Sequence, residues 1–136
     1  MKPPRILIIE DEAITVSALK RELTNLGYEV AGTAASAQEA VFAAEEKKPD
    51  LVLMDITLAD EYDGVIAATA IRGNLGTPVV FLTAHADNAT MERAIKAGPF
   101  GYVIKPFTIP ELKAAIVVAL HKHQSELDSR GAAEGE

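Results

Sequence analysis

Leu51-Val52-Leu53-Met54-Asp55 decides the reading of this chain: apolar, β-prone residues follow one another without alternation and end on a carboxylate. The same design recurs along the sequence. Arg5-Ile6-Leu7-Ile8-Ile9 ends on Glu10-Asp11, Val79-Val80-Phe81-Leu82 on Thr83, and Tyr102-Val103-Ile104 on Lys105. Unbroken Val, Ile and Leu runs suit strands buried on both faces, and helical patterns lie between them. The sequence therefore predicts an α/β domain with a parallel sheet covered on both sides. Such sheets bind ligands beyond the carboxyl ends of their strands. Three carboxylates, a hydroxyl and an ammonium are expected to converge on that edge.

Outward from these runs, Val16, Leu19, Leu23 and Leu26 hold helical spacing before Gly27, which predicts a first helix over about Ala13 to Leu26. A strand over Tyr28 to Thr33 leads to Ser36-Ala37-Gln38-Glu39, a capping box whose hydroxyl and carboxylate each satisfy an amide at a helix start. That second helix runs to about Lys47, with Glu45-Glu46-Lys47-Lys48 as its solvated end. The polar loop Asp60-Glu61-Tyr62-Asp63-Gly64 precedes a third helical pattern from Val65 to Ile71. Asp87 or Asn88 can cap a fourth helix, with Met91, Ala94 and Ile95 on its buried side and Gly98 at its end. Thr108-Ile109-Pro110-Glu111 is a second capping box, followed by Leu112, Ala115, Ile116, Ala119 and Leu120 at helical periodicity. From about Ser125 the residues become small and polar. Residues 125–136 are expected to form a flexible tail behind a single domain over 4–124.

Composition bounds the function. A chain of 136 residues with 49% hydrophobic and 24% charged residues matches an ordinary soluble globule. Its net charge of -7 argues against direct nucleic-acid binding, which needs clustered Lys and Arg. Cysteine is absent, which removes thiolate catalysis and sulfur-ligated zinc. No apolar run approaches the ~20 residues of a membrane span, so a cytoplasmic protein without membrane contact is expected. His121 and His123 point to different helix faces and make a poor metal pair.

Adjacent acids at Glu10 and Asp11, with a third at Asp55, offer hard oxygen ligands suited to Mg²⁺, with Mn²⁺ as an alternative. Without a cation the cluster is costly, because like charges ~4 Å apart repel by about 4 kcal/mol at an effective dielectric near 20. Lys105 could then hold a phosphoryl oxygen, Thr83 could donate to another, and Asp55 would be the nucleophile of an aspartyl phosphate.

Ile8-Ile9-Glu10-Asp11-Glu12, Leu53-Met54-Asp55, Val80-Phe81-Leu82-Thr83-Ala84 and Gly101-Tyr102-Val103-Ile104-Lys105-Pro106-Phe107, in this order on strand ends, resemble the receiver domains of two-component response regulators, the stand-alone chemotaxis type in particular. The resemblance spans about residues 4 to 124. It implies a doubly wound, flavodoxin-like (βα)5 fold with five parallel strands in the order 2-1-3-4-5 and helices on both faces. It implies Asp55 as phosphoacceptor, Asp11 as direct Mg²⁺ ligand, Glu10 as a ligand through water, and the Thr57 carbonyl as a further ligand. Thr83 and Tyr102 match the switch pair, Lys105 the cation with a cis Lys105-Pro106 bond, and Thr57 and His85 the positions that tune phosphoryl lifetime. The implied function is a signalling module, not a turnover enzyme. It takes a phosphoryl group from a histidine kinase or phosphotransfer protein, loses it slowly, and switches a surface of the fourth helix, fifth strand and fifth helix. An unidentified downstream protein, or a phosphorylation-dependent homodimer, would use that surface. Glu10, where many relatives have Asp, and Gly98-Pro99-Phe100-Gly101 depart from the commoner pattern without removing a required group. Pro99 stiffens the approach to Tyr102.

Two other readings share these residues. A haloacid dehalogenase-type phosphatase also uses an Asp after a strand, but wants a second acid two residues on, where Thr57 stands. A phosphorylation-independent binding module would carry the pocket as a vestige. Nucleotide hydrolysis lacks both a Walker-type loop and G-x-G-x-x-G.

Overall fold

The strand-like runs form the expected sheet in the computed structural model, which describes residues 2–56, 64–84 and 88–134. β1 (Arg5–Ile9), β2 (Glu29–Ala34), β3 (Leu51–Asp55), β4 (Val79–Thr83) and β5 (Gly101–Ile104) are all parallel, in the order β2-β1-β3-β4-β5. The helices are α1 (Ala13–Asn25), α2 (Ala37–Lys47), α3 (Gly64–Leu75), α4 (Asn88–Lys96) and α5 (Ile109–Glu134). Side chains alternate across each strand, so the sheet divides the interior into two cores. Leu7, Ile9, Val52, Met54 and Phe81 face α2, α3 and α4, whereas Ile6, Ile8, Leu53, Val80 and Leu82 face α1 and α5. The first core is closed by helix alanines such as Ala40, Ala44, Ala67 and Ala94, the second by Leu19, Leu23, Leu112 and Ile116.

Local chemistry sets the ends of these elements. Ser36 Oγ accepts from the Glu39 amide at 3.2 Å while Glu39 Oε2 accepts from the Ala35 amide, and Thr108 Oγ1 accepts from Glu111. Gly27 and Gly98 take the left-handed conformation just past α1 and α4, at φ 93° and 71°. The Lys105-Pro106 bond is cis. One expectation is corrected. Ile95 is 65% exposed, because Ala94 of the short α4 and Ala97 just past its end take the buried side. From Ser125, where a flexible tail is expected, the chain continues α5 to Glu134, with His123 against Phe100 and Glu126 facing Arg72. Asp87 lies outside the described residues, and Asn88 is the first residue of α4. No helix among the described residues is long and apolar enough to cross a membrane.

Candidate functional site

Strand order brings the reactive residues together. β1 and β3 are neighbours with Ile9 opposite Met54, so Glu10 and Asp55, each one position further on, meet side by side at the carboxyl edge. Asp55 is opposite Leu82 in β4, and buried Thr83 follows Leu82. Lys105 leaves β5 just beyond Ile104, its amide donating to the Thr83 carbonyl at 2.7 Å. From there its side chain crosses the end of β4 to the acids. Lys105 Nζ donates to Glu10 Oε1 at 2.6 Å and to Asp55 Oδ2 at 3.1 Å.

Glu10 is the centre of this network, 2% exposed, whereas Asp11 is exposed. Its second oxygen accepts from the Asp11 amide at 3.1 Å. Both Glu10 oxygens are thus engaged within the protein, which suits a ligand that reaches a cation through water. One carboxylate oxygen each from Glu10, Asp11 and Asp55 lies within 4.8 Å of the others. Burial pushes the Glu10 carboxyl up to about 7; hydrogen bonding to Asp55 and its charge add to the rise, against the pull of Lys105. Burial alone would lower the Lys105 ammonium, but its bond to Glu10 and the charge of Asp55 outweigh that and hold it above the ordinary lysine value. The clustered carboxylate oxygens of Glu10, Asp11 and Asp55 are hard donors of the kind a divalent cation takes, and a cation there would favour their ionised forms.

Of the residues singled out in the sequence, Glu10, Asp11, Asp55, Thr83 and Lys105 share this edge. Tyr102 is half exposed on β5, opposite Phe81 of β4. Thr57 and His85 lie outside the described residues. Sequence reasoning passed over Gly64 as a site residue. A β-carbon there would stand 2.3 Å from the Asp55 carbonyl oxygen and 3.0 Å from Ile56 Cα, and the Gly64 amide donates to the Ile56 carbonyl at 2.8 Å. Glycine lets α3 start directly against the backbone that presents Asp55. The only trace in the sequence was a glycine ending an acidic loop.

Residues 6–117 match the family model described as the response regulator receiver domain. The chain is 43% identical over 120 residues to the transcriptional regulatory protein PdtaR of Mycobacterium tuberculosis, covering 88% of this chain and 58% of that protein. It thus spans less than two thirds of that relative's length. It is 38% identical over 119 residues to the chemotaxis protein CheY of Thermotoga maritima, covering 87% and 95% of the two chains. Among solved structures, the signal receiver domain of a modulated diguanylate cyclase from Desulfovibrio desulfuricans G20 superposes with a TM-score of 0.86 at 36% identity, over 91% of this chain and 98% of that one.

Proposed function

This chain belongs to the response regulator receiver family of two-component signal transduction, and from that premise we propose that Asp55 accepts a phosphoryl group from the phosphohistidine of a partner kinase or phosphotransfer protein. An Asp55 carboxylate oxygen bonds to phosphorus as the phosphorus–nitrogen bond breaks, and the histidine leaves as imidazole. The observation that carries this reading is Lys105 Nζ poised between Glu10 and Asp55 at 2.6 and 3.1 Å. An ammonium already paired with the nucleophile can follow its new charge onto a phosphoryl oxygen. Asp11 and Asp55 would hold Mg²⁺ directly, with Glu10 through water and the Thr57 carbonyl as a further ligand; Mn²⁺ suits the same oxygens. When bound, the cation supplies positive charge against the phosphoryl oxygens.

The adduct adds about -1.5 to -2 charges at the sheet edge. Thr83, buried at the end of β4, donates to the phosphoryl group, and Tyr102 on the adjacent strand turns with it. Ile95, Tyr102, Ile104 and Val118 are exposed on α4, β5 and α5, an apolar surface for a downstream protein or a second copy. Thr57 and His85 set how long the acyl phosphate survives before water returns Asp55 to its free form. The module acts in the cytoplasm and catalyses only its own phosphorylation and slow dephosphorylation. Intact mass after incubation with a small phosphoryl donor tests the reading. One adduct is expected with Mg²⁺ and wild-type protein, and none after chelation or in Asp55→Asn. An adduct that persists in Asp55→Asn would refute the assignment.

A further inference from the structure

Helix α5 does not end where its apolar stripe ends. Leu112, Ile116 and Ala119 are fully buried, but beyond Leu120 the sequence offers one large apolar residue, Leu127, which is 43% exposed. A helical segment without a buried face is marginal by itself, so the continuation to Glu134 needs contacts of another kind. They lie at the amino edge of the sheet, opposite the acid cluster. Arg72, in the last turn of α3, donates to the Gly76 carbonyl at 2.9 Å, lies over the Phe100 ring 4.4 Å from its centroid, and faces Glu126 of α5 at 3.8 Å. His123 of α5 meets the same ring edge to face, with centroids 6.2 Å apart. Phe100 is itself buried, and its amide donates to the Val79 carbonyl at 2.9 Å.

We infer that Arg72, Phe100, His123 and Glu126 form a latch that docks the continuation of α5, residues 121–134, to the base of the domain and transmits movement of β5 to it. Phe100 immediately precedes β5, and Lys105 immediately follows it. The strand is only four residues long, so a shift at one end has little chain over which to be absorbed before the other. One end carries the ammonium that answers to Asp55, the other the aromatic ring on which Arg72 and His123 rest. The trigger rests on the proposed phosphorylation of Asp55. Lys105, drawn towards the phosphoryl group, shifts β5 and with it Phe100, and the helix beyond Leu120 exchanges a docked for a released arrangement. Output then leaves from the pole opposite the site as well as from the α4, β5 and α5 surface.

Hydrogen exchange of the full chain, read by mass spectrometry, tests both parts. In Arg72→Ala, amides of residues 121–130 should exchange about fivefold to tenfold faster while β1 and β3 keep their protection. Glu126→Gln, which keeps the shape and removes one charge, should accelerate the same amides about twofold, and this variant decides the matter if Arg72→Ala unfolds. Unchanged exchange in the folded variants, or a wild type whose residues 121–130 already exchange at unfolded rates, overturns the latch. For transmission, the wild type is labelled with Mg²⁺ and acetyl phosphate, with intact mass of the same sample scoring the adduct. The adduct should change exchange in residues 121–130 by at least about twofold, and should change nothing further in Arg72→Ala. An adduct with unchanged exchange overturns transmission and leaves the Asp55 reading intact. No adduct overturns the Asp55 reading and the trigger with it, while Arg72→Ala still decides the latch.

Discussion

The two edges of the sheet each carry a cation shared among several partners, in opposite surroundings. At the carboxyl edge Lys105 lies between Glu10 and Asp55, where the Glu10 side chain has no exposure; at the amino edge Arg72 lies between Phe100, Gly76 and Glu126, whose side chain is 50% exposed. The first cluster holds more acid than the single ammonium neutralises, with Glu10 and Asp55 largely shielded from solvent. The second sets one charge against one charge, with solvent to screen what remains. Similar ion pairs therefore do different work. The buried cluster keeps two acids on one ammonium, where an added cation would have most effect, and the exposed one bridges α3 and α5.

The largest effect that separates the edges is on chemistry: Asp55→Asn should abolish the phosphoryl adduct seen by intact mass, and Arg72→Ala should leave it in place. Next, Lys105→Met strands the two buried acids without a cation. With Mg²⁺ chelated at pH 8, urea denaturation should show a loss of about 3 kcal/mol, shrinking at pH 5, where Glu10 is protonated. An equal loss at both pH values would show that the lysine acts by packing alone.

The titration of Glu10 gives a comparable effect with a defined sign. Its carboxyl has an ordinary value of 4.5 and lies at about 7 in the fold. Between those values the folded chain holds a proton that the unfolded chain has released, so stability of the metal-free protein should fall as pH rises from about 4.5 to about 7 and then level off. That interval corresponds to about 3 kcal/mol. Glu10→Gln should flatten the profile, and Mg²⁺ should stabilise more at pH 8 than at pH 5. Gly64→Ala should cost about 1–3 kcal/mol at every pH, because its β-carbon would meet the Asp55 carbonyl oxygen at 2.3 Å. Smallest is Glu126→Gln, at about 0.5 kcal/mol or less in global stability, with its effect confined to exchange in the end of α5.

Much of this was legible in the residues, and what was not has a common cause. Apolar runs, capping boxes and left-handed glycines act over a few positions, so most element starts could be read within a residue or two: α1 ends at Asn25 where Leu26 was expected and β2 is displaced by one residue, but α3 runs four residues past Ile71, to Leu75. The convergence of Glu10, Asp55 and Lys105 was legible too, since parallel strands with helical crossovers put all their carboxyl ends on one side. The exposure of Ile95 was not, because two small neighbours, Ala94 and Ala97, take the buried side and a hydropathy pattern favours the larger residue.

Sequence alone determined the alternation of strands and helices and the chemical types gathered at the carboxyl edge, because periodicity and turn chemistry are local. Tertiary structure alone decided that Lys105 approaches Glu10 more closely than Asp55, that Gly64 lies against the backbone of Asp55, and that α5 runs on to Glu134. Each of these rests on contact between different elements: Lys105 and Glu10 are 95 positions apart, and Arg72 and Glu126 belong to different helices. Only the packing of those elements around the sheet brings such groups within reach.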